Sequence, residues 1–297
     1  MLPEHLIILG GSYIGCELGQ IFWRLGCAVT IIETSPTIVS REDADVSERL
    51  TAMLQDEGVR IVCDAKVRRD SGHSGREITV DVETSGTPSA LSFRGTHLMV
   101  ATGRRPNTDS LALQTVGVAL DAQGYVTVNG TLETNVPGIW ALGDVNRRGA
   151  FTHTSYQDHE IVLANRRGGA RGVDGRIATY ALFTDPPIGR VGINETQARK
   201  MMSEGRRFLH VTHEMRRVSR AKEESETVGV IKVLVDAGTD RFVSATIFGI
   251  GGDEIVQIIS AMMAADAPYQ VLRDYLPVHP TVTEFFPTIL GKLAPLV

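Results

Sequence analysis

A glycine-rich segment near the start of the chain has the residue types and the spacing of a phosphate-binding loop. It reads LGGSYIGCE and lies between the apolar run HLIIL and the helix-like segment YIGCELGQIFWRLG. Gly10 permits a tight turn, Gly15 permits close packing of helix on strand, and the amides between them face a pyrophosphate. Ser12 replaces the middle glycine of G-x-G-x-x-G, and its small side chain is compatible with phosphate. The candidate cofactor-binding residues here are Gly10, Gly11, Ser12, Tyr13, Ile14, Gly15 and Glu17.

An acidic residue follows this loop at the place where a ribose is recognised. Glu33 ends the second predicted strand, AVTIIE, and a carboxylate there accepts hydrogen bonds from the 2′-hydroxyl of an adenosine ribose. Because it would repel a 2′-phosphate, and because no arginine follows before Arg41, we expect NADH to be preferred over NADPH. The alternative is a glycine turn that only packs a helix on a strand. Strand, helix and acid occur together here, and this combination favours dinucleotide binding.

Glu17 has two interpretations. It is a candidate cofactor contact because it belongs to the glycine-rich segment, and it is also a candidate partner of the helix dipole. An acidic side chain in the first turn stabilises the positive end of a helix. Residue chemistry alone favours this second role.

A second segment whose residues could bind a cofactor is NVPGIWALGDV, residues 135–145. It is typical of a strand that ends at Gly143 and Asp144, a shape suited to holding the sugar chain of a flavin dinucleotide. Such a site needs another glycine-rich loop earlier in the chain, and the loop at Gly10 already serves a different dinucleotide. Since Gly-Asp pairs are common in turns, an ordinary strand-ending turn is the alternative from these residues alone.

The third candidate is PVHPTVTE, near the C-terminus. His279 precedes Pro280, which biases its backbone to extended conformations and makes the segment that carries the imidazole rigid. Glu284 can return to hydrogen-bond the ring and fix its tautomer. A histidine that only packs in a proline-rich loop is the alternative, and spacing alone favours it.

The elements that must hold these residues begin with alternating strands and helices. Residues 5–63 contain the strands HLIIL, AVTIIE and VRIVC and an amphipathic helix, ADVSERLTAMLQDEG, closed by Gly58. This alternation predicts an α/β fold with a parallel, doubly wound sheet. The segments KVRRD, REITVDVET and ALSFRG then predict antiparallel strands, and HLMVATG predicts a return to a buried strand.

Later segments predict a different architecture. A helix is predicted over about 155–167, and RRGGARGVDGR has the composition of a linker. GVIKVLVDAGTDRFVSATIFGI predicts a long hairpin whose turn is built by Asp236, Gly238 and Asp240. The strongly apolar helix DEIVQIISAMMAA follows and ends before Pro268.

Composition narrows the class of protein. The 297 residues suffice for two domains, and 30 Lys and Arg against 35 Asp and Glu argue against nucleic acid as the main partner. No membrane span or secretion signal is expected, so we expect a cytoplasmic protein. Cys16, Cys27 and Cys63 form no close pair, and the first two are expected to pack in the core. No residue spacing predicts a metal site.

Five segments resemble the pyridine nucleotide–disulfide oxidoreductases, the family of lipoamide dehydrogenase, glutathione reductase and mercuric reductase. They are LGGSYIGCELGQIFWRLGCAVTIIE, ATGRRPNTD, GIWALGDV, DPPIGRVGINETQA and HPTVTEFFPTIL, in family order along the chain. GGSYIG, RRGAFTHTSY and GIGGDEI are similar to segments of a mercuric-reductase-like group of flavin-containing oxidoreductases. The segment GKLAPLV lacks the cysteine pair that mercuric reductases carry near their C-terminus, which argues against mercury as the substrate.

The resemblance implies a Rossmann-type NAD(P)-binding domain in residues 1–103, the C-terminal part of an FAD-binding domain in 104–170, and an α+β dimerisation domain in 171–297. Family members begin with a segment that carries the flavin phosphate loop and a redox-active cysteine pair. This chain shows neither, so we expect it to correspond to the C-terminal portion of such an enzyme.

The resemblance also implies site residues. Asp144 would accept hydrogen bonds from the ribityl hydroxyls of FAD, and FTHTS would open a helix whose N-terminal amides reach the flavin ring. His279, backed by Glu284, would be the catalytic acid–base that reaches across a twofold dimer to manage the proton of a thiol. The implied flavin contacts are Gly103, Arg104, Gly143, Asp144, Phe151, Thr152 and His153.

The function implied is that of an NADH-linked, flavin-dependent oxidoreductase of the disulfide reductase type. Hydride would pass from NAD(H) to FAD, and electrons would then pass to a cysteine pair or to another small-molecule acceptor. A C2 homodimer is implied, with the hairpin and the apolar helix as candidate interface. The alternative is a non-catalytic NAD-binding and dimerisation fragment of such an enzyme.

Overall fold

The computed structural model describes residues 2–84 and 91–296. The chain forms two compact units: a large unit, Met1–Thr102 together with Ile177–Val297, and a small unit, Gly103–Arg176. Within the described residues, no helix combines the length and the apolar character that crossing a membrane requires.

The large unit begins with alternating strands and helices, namely β1 (His5–Leu9), α1 (Tyr13–Arg24), β2 (Ala28–Ile32), α2 (Ala44–Glu57) and β3 (Arg60–Val62). An antiparallel sheet of three strands follows, β4 (Ala65–His73), β5 (Glu77–Thr84) and β6 (Leu91–Gly95), and the chain then returns as β7 (His97–Val100). The parallel sheet has the order β3-β2-β1-β7, which confirms the predicted α/β class. Ala90, where ALSFRG was expected to begin its strand, lies outside the described residues.

The two faces of the parallel sheet are covered differently. Ile8 on β1 lies in one core with Cys16 of α1 and Leu50 of α2. Successive residues of a strand point to opposite faces, and Ile7 accordingly lies in a second core with Val80 of β5. Helices therefore cover one face of this sheet, and the antiparallel strands cover the other.

The small unit contains one long helix, α3 (Thr152–Arg166), and two single turns of 3₁₀ helix at Leu113–Thr115 and Gly143–Asn146. The predicted strand through residues 138–145 is wrong, because only an isolated bridge between Glu133 and Trp140 forms there. Side-chain oxygens compete with strand pairing in this region. Glu133 Oε1 accepts the backbone N–H of Gly138, and Asp158 Oδ2 accepts that of Gly143, both at 2.9 Å.

The segment RRGGARGVDGR is packed within the small unit and is not a free linker. The Arg171 N–H donates to Asn165 Oδ1 at 2.7 Å, and Val173 is 8% exposed. Helix α3 ends at Arg166, the first residue of this segment, and the turns that follow fold back on the helix.

The C-terminal part of the large unit is built on a second, antiparallel sheet. Its elements are β8 (Thr179–Leu182), β9 (Ile188–Gly192), α4 (Glu195–Ser203), β10 (Phe208–Glu214), α5 (Ser219–Glu223), β11 (Val230–Asp236), β12 (Phe242–Phe248), α6 (Gly252–Ala264), α7 (Tyr269–Asp274), α8 (Phe286–Leu290) and β13 (Ala294–Pro295). The strand order is β13-β10-β11-β12-β9-β8. The predicted hairpin β11–β12 is confirmed, and Asp236 Oδ1 accepts the N–H of Gly238 in its turn.

Replacing Gly58 tests the packing at the end of α2. Gly58 has a φ of 112°, and a Cβ there would lie 2.4 Å from a ring carbon of Trp23. Gly26 also has a positive φ, 94°, but a Cβ there would meet nothing within 4 Å in the described part of the chain. We expect Gly26→Ala to lower the free energy of unfolding by about 1 kcal/mol and Gly58→Ala by about 2–3 kcal/mol, since Trp23 must also move. Chemical denaturation measures both, and equal losses would contradict this packing argument.

Candidate functional site

The glycine-rich loop joins β1 to α1, and its shape depends on two close backbone approaches. Gly10 has a φ of 107°, and a Cβ there would lie 2.5 Å from the carbonyl oxygen of Ala101, just after β7. A Cβ on Gly15 would lie 1.9 Å from the carbonyl oxygen of Gly10. Neither position can carry a side chain unless the backbone moves. Both glycines thus have a steric role of the kind that the sequence predicts.

Glu33 lies directly after β2, beside this loop. Its Oε2 accepts a hydrogen bond from the N–H of Gly11 at 2.6 Å, and its Oε1 accepts one from the N–H of Ser35 at 2.7 Å. Burial raises the pKa of Glu33, but these amides and the nearby hydroxyls lower it more, so its pKa lies below the ordinary value. The carboxylate is therefore ionised at neutral pH and held against the turn that precedes α1.

Three other predicted residues lie at the start of α1. Ser12 is the N-cap, and its side chain makes no capping hydrogen bond with the described residues. The Tyr13 hydroxyl donates to Oε1 of Glu42 at 2.9 Å. Ile14 is 40% exposed. The side chain of Tyr13 is thus bound to another part of the protein, whereas Ile14 faces solvent.

Glu17 lies further along α1 than the helix-dipole interpretation requires. It is the fifth residue of α1, and that helix has no acidic residue in its first turn, so the helix-dipole interpretation is wrong. Its Oε1 accepts the N–H of Phe183 at 2.8 Å, just after β8. The carboxylate therefore stabilises the backbone between β8 and β9, and a cofactor contact by Glu17 stays a prediction.

A cavity of about 430 Å³ is lined in part by Thr34, the residue that follows Glu33. Lys66 and Arg68 of β4 bring positive charge to this cavity. The sequence did not predict their contribution, because β4 begins more than thirty residues after Glu33. Arg68 forms an ion pair with Glu83, and Asp64 supplies a second acid, so the charges in the cavity balance. The lining residues are Thr34, Asp64, Lys66, Arg68, Glu83 and Thr84.

In the small unit, Gly143 and Asp144 form a turn of 3₁₀ helix. Gly143 has a φ of 72°, and a Cβ there would lie 2.8 Å from Oγ of Ser155. The Asp144 carboxylate is about half exposed and accepts a hydrogen bond from Arg104 at 3.0 Å. The structure thus brings Asp144 and Arg104 together. Gly103 precedes this pair and has a φ of 132°.

Asp158 holds this turn in place, and sequence reasoning missed it. Its side chain is 2% exposed and forms an ion pair with Arg176. Its Oδ2 accepts hydrogen bonds from the N–H of Gly143 and from the amide of Asn146, both at 2.9 Å. Asp158 precedes the buried Ile161 by three residues, so it places an acid on the apolar face of α3. That pattern is the signal that could have identified it.

The predicted contacts Phe151, Thr152 and His153 lie at the N-terminus of α3. Phe151 is the N-cap, and its N–H donates to the hydroxyl of Thr154 at 3.2 Å. The rings of Phe151 and His153 stack with their centroids 5.3 Å apart. The first turn of α3 therefore begins with two adjacent aromatic rings.

His279 and Glu284 meet as the sequence predicts. The Nδ1 atom of His279 lies 2.7 Å from Oε2 of Glu284. The imidazole is 75% exposed, whereas the carboxylate is only 14% exposed. An ionised carboxylate accepts the Nδ1 proton, so Nε2 is the atom left to exchange a proton with a partner.

One group of acids has the arrangement of a cation site, and a lysine supplies its charge. The carboxylates of Asp43, Asp45 and Glu195 offer oxygens within 4.8 Å of one another. Lys232 Nζ lies 2.6 Å from Asp45 Oδ1, 2.7 Å from Glu195 Oε1 and 3.2 Å from Asp43 Oδ2. This ammonium group lies among the three carboxylates and offsets part of their negative charge.

The fold and the loop geometry define an α/β protein with a glycine-rich turn between β1 and α1 and an antiparallel C-terminal sheet. The family model of the pyridine nucleotide-disulphide oxidoreductases matches residues 1–158, and the dimerisation-domain model of the same family matches residues 178–289. The chain belongs to the pyridine nucleotide-disulphide oxidoreductase family.

Curated relatives match nearly the whole chain. The probable pyridine nucleotide-disulfide oxidoreductase RclA of Escherichia coli is 36% identical over 95% of this chain and 62% of its own length. Mouse mitochondrial dihydrolipoyl dehydrogenase is 31% identical over 96% of the chain and 56% of its own length. Mercuric reductase of Shewanella putrefaciens is 33% identical over 96% of the chain and 48% of its own length. The chain thus spans about half to two thirds of the length of these relatives.

Solved structures share the fold. The HOCl-induced flavoprotein disulfide reductase RclA from Escherichia coli superposes with a TM-score of 0.87 at 35% identity, covering 98% of this chain and 65% of that one. LpdA from Mycobacterium tuberculosis superposes with a TM-score of 0.88 over 98% of this chain and 62% of that one, at 22% identity. At this low identity, the similarity to LpdA shows the fold alone.

Replacing Asp158 tests the buried support of the Gly143 turn. We expect Asp158→Asn to lower the free energy of unfolding by about 3–5 kcal/mol, because it leaves the mostly buried Arg176 without its charged partner. Glu160→Gln is the control, since Glu160 lies on the same helix and forms a half-exposed pair with Arg171 at 4.0 Å. That change should cost less than about 1 kcal/mol. Denaturant titration of both variants checks this, and similar small losses would show that the Asp158 network is not stabilising.

Proposed function

We propose that the large unit binds NADH in the crevice at the carboxyl ends of β1 and β2. The observation that carries this proposal is the position of Glu33, which is ionised and bonded to Gly11 within the glycine-rich turn. The first amides of α1 suit a pyrophosphate, and the carboxylate suits a ribose 2′-hydroxyl. The charge-balanced cavity beside Thr34 is large enough for an adenine ring.

We further propose that the small unit contributes to the binding of FAD. The residues present fit this group, because the half-exposed Asp144 carboxylate can accept hydrogen bonds from sugar hydroxyls. The positive φ of Gly143 allows a close backbone approach there. The N-terminal amides of α3, beside Phe151 and His153, suit the polar edge of a flavin ring. The three-part division into residues 1–103, 104–170 and 171–297 belongs to this proposal.

The proposed activity is that of an NADH-linked, flavin-dependent oxidoreductase of the disulfide reductase type. Bound FAD would supply a two-electron acceptor for the hydride of NADH. The loop at Gly10 would orient the dinucleotide, and Glu33 would select it by its ribose. His279 would hold or release a proton at Nε2 for a thiol of the acceptor, while Glu284 keeps the ring in one tautomer. Membership in the family and the relatives named above support this assignment.

The electron acceptor in this proposal is a disulfide or another small molecule. The cysteines of the chain do not provide a redox pair, since Cys16 and Cys27 are buried, as predicted. Burial and nearby acids also raise the pKa of the Cys16 thiol, and they raise that of Cys63. Thiolates at these positions are therefore disfavoured at neutral pH.

A homodimer formed through the C-terminal part of the large unit is included in the proposal. Residues 178–289 match the dimerisation-domain model of the family. Two large apolar side chains beside His279 are exposed, Leu276 at 94% and Val278 at 75%. Exposed apolar side chains next to a polar pair are typical of a protein interface. We place the protein in the cytoplasm, consistent with its unpaired cysteines.

Exchanging the charge at Glu33 tests the nucleotide assignment. We expect Glu33→Arg to weaken NADH binding by about tenfold and to improve NADPH binding, because a cation replaces the ribose acceptor. The ratio of the two dissociation constants, measured by fluorescence titration, is the readout. Asp56→Arg makes the same charge change at an exposed position of α2 and should leave the ratio unchanged. An unchanged ratio in Glu33→Arg would refute the ribose role.

An absorbance spectrum separates catalysis from the competing interpretation, a non-catalytic NAD-binding and dimerisation protein. If the purified chain acts as a flavoenzyme, it should carry a stoichiometric flavin band at about 450 nm. Binding of NADH together with dimerisation, but without that band after incubation with FAD, would favour the non-catalytic interpretation. Sedimentation measures the dimer on the same sample.

A further inference from the structure

Buried hydrogen bonds at Glu42 join the glycine-rich loop to the C-terminal sheet of the large unit. Glu42 is 9% exposed. Its Oε1 accepts the hydroxyl protons of Tyr13 at 2.9 Å and of Tyr180 at 2.7 Å, and its Oε2 lies 3.3 Å from an N–H donor of Arg190. Tyr13 begins α1, whereas Tyr180 and Arg190 belong to β8 and β9. The Glu42 carboxylate therefore contacts both the start of α1 and the C-terminal sheet.

The segment that carries Glu42 also contacts the loop through its backbone. The Val39 N–H donates to the carbonyl oxygen of Gly11 at 2.8 Å, and the Glu42 N–H donates to that of Val39 at 2.8 Å. A Cβ on Gly11 would lie 2.7 Å from a methyl carbon of Ile38. A displacement of Glu42 would thus be transmitted to Gly11 as well as to Tyr13.

Arg190 fixes the other end of this network in the antiparallel sheet. Its side chain is 1% exposed and donates to Thr246 Oγ1 at 2.9 Å and to the carbonyl oxygen of Ile193 at 2.7 Å. Thr246 is its cross-strand neighbour on β12. The guanidinium also lies 3.2 Å from Asp43. With these partners, Arg190 cannot move independently of β9 and β12.

The two phenols are permanent donors to Glu42. Burial is the largest cause that raises the pKa of Tyr13, followed by the charge of Glu42 and by Tyr180. Burial and the charge of Glu42 likewise raise the pKa of Tyr180. Buried charge networks add little net stability compared with apolar packing, and their best-supported use is to fix one arrangement. Fixing the position of α1 relative to the C-terminal sheet therefore accounts for this network better than a contribution to stability does.

We propose that Glu42 is a positioning residue for dinucleotide binding. It holds Tyr13 and the amides of residues 11–15 in the place that Tyr180 and Arg190 define, so that the nucleotide crevice is coupled to the C-terminal sheet. This inference rests on the proposed NADH function of the same loop.

The test uses Tyr180→Phe, which keeps the aromatic ring and removes one donor to Glu42 from the C-terminal side. The control is Glu214→Gln. Glu214 pairs with Arg49 at 2.7 Å and so also joins β10 to α2, but neither residue contacts the loop. The readouts are hydrogen exchange of amides 11–16 without ligand, the dissociation constant for NADH, and the melting temperature. We expect faster exchange and about fivefold weaker NADH binding in Tyr180→Phe alone.

The readouts distinguish failure of this inference from failure of the proposed function. Unchanged exchange at residues 11–16 in Tyr180→Phe would overturn the positioning role, and so would equal effects in Tyr180→Phe and Glu214→Gln. If the unmodified chain does not bind NADH, the proposed function fails, and the exchange difference alone then decides the positioning role. Should Tyr180→Phe not fold, Tyr13→Phe removes the donor on the loop side and must accelerate the same exchange.

Discussion

Close contact between backbone atoms at the start of α1 is the constraint on which the candidate nucleotide site depends. The Cα of Gly15 faces the carbonyl oxygen of Gly10, and the Cα of Gly10 faces the carbonyl oxygen of Ala101, with no room for a side chain at either glycine. These approaches fix where α1 can begin relative to β1 and β7, and hence where its first amides point. They also bring Gly11 to the end of β2, where its N–H meets Glu33. A larger side chain at either glycine would separate the amides from the carboxylate.

A second constraint explains why the N-terminal α/β part and the C-terminal sheet form one compact unit. Phe248 of β12 and Ile188 of β9 share a hydrophobic core with Leu50 of α2. In addition, Arg190 and Lys232 of the C-terminal sheet form ion pairs with acidic residues of the segment 42–45. The apolar contacts supply most of the stabilisation, whereas the buried ion pairs are costly to break and so disfavour other relative placements. Together they tie the position of the loop to a sheet that is far away in sequence.

The sequence predicted the features that depend on neighbouring residues. Apolar alternation identified β1, β2 and the hairpin, and Gly58 marked the end of α2 because a left-handed residue was needed there. The pairing of His279 with Glu284 was also predicted, since only five residues separate them. Partners that are far apart in the sequence were not predicted. Arg190 and Glu42, for example, are separated by 148 positions. The strand expected before Gly143 does not form, because side-chain carboxylates accept the N–H groups of Gly138 and Gly143, a competition that hydrophobic pattern does not report.

The two kinds of site in this chain depend differently on their surroundings. The nucleotide loop is built from backbone amides and one carboxylate, all within a single unit, so its geometry is complete before any ligand arrives. The His279 imidazole has a fixed tautomer, yet three quarters of it is exposed to solvent. Proton transfer in a solvated site is less selective than in one from which water is excluded. In the proposed function, a second surface would therefore cover His279, and the exposed Leu276 and Val278 would lie in that contact.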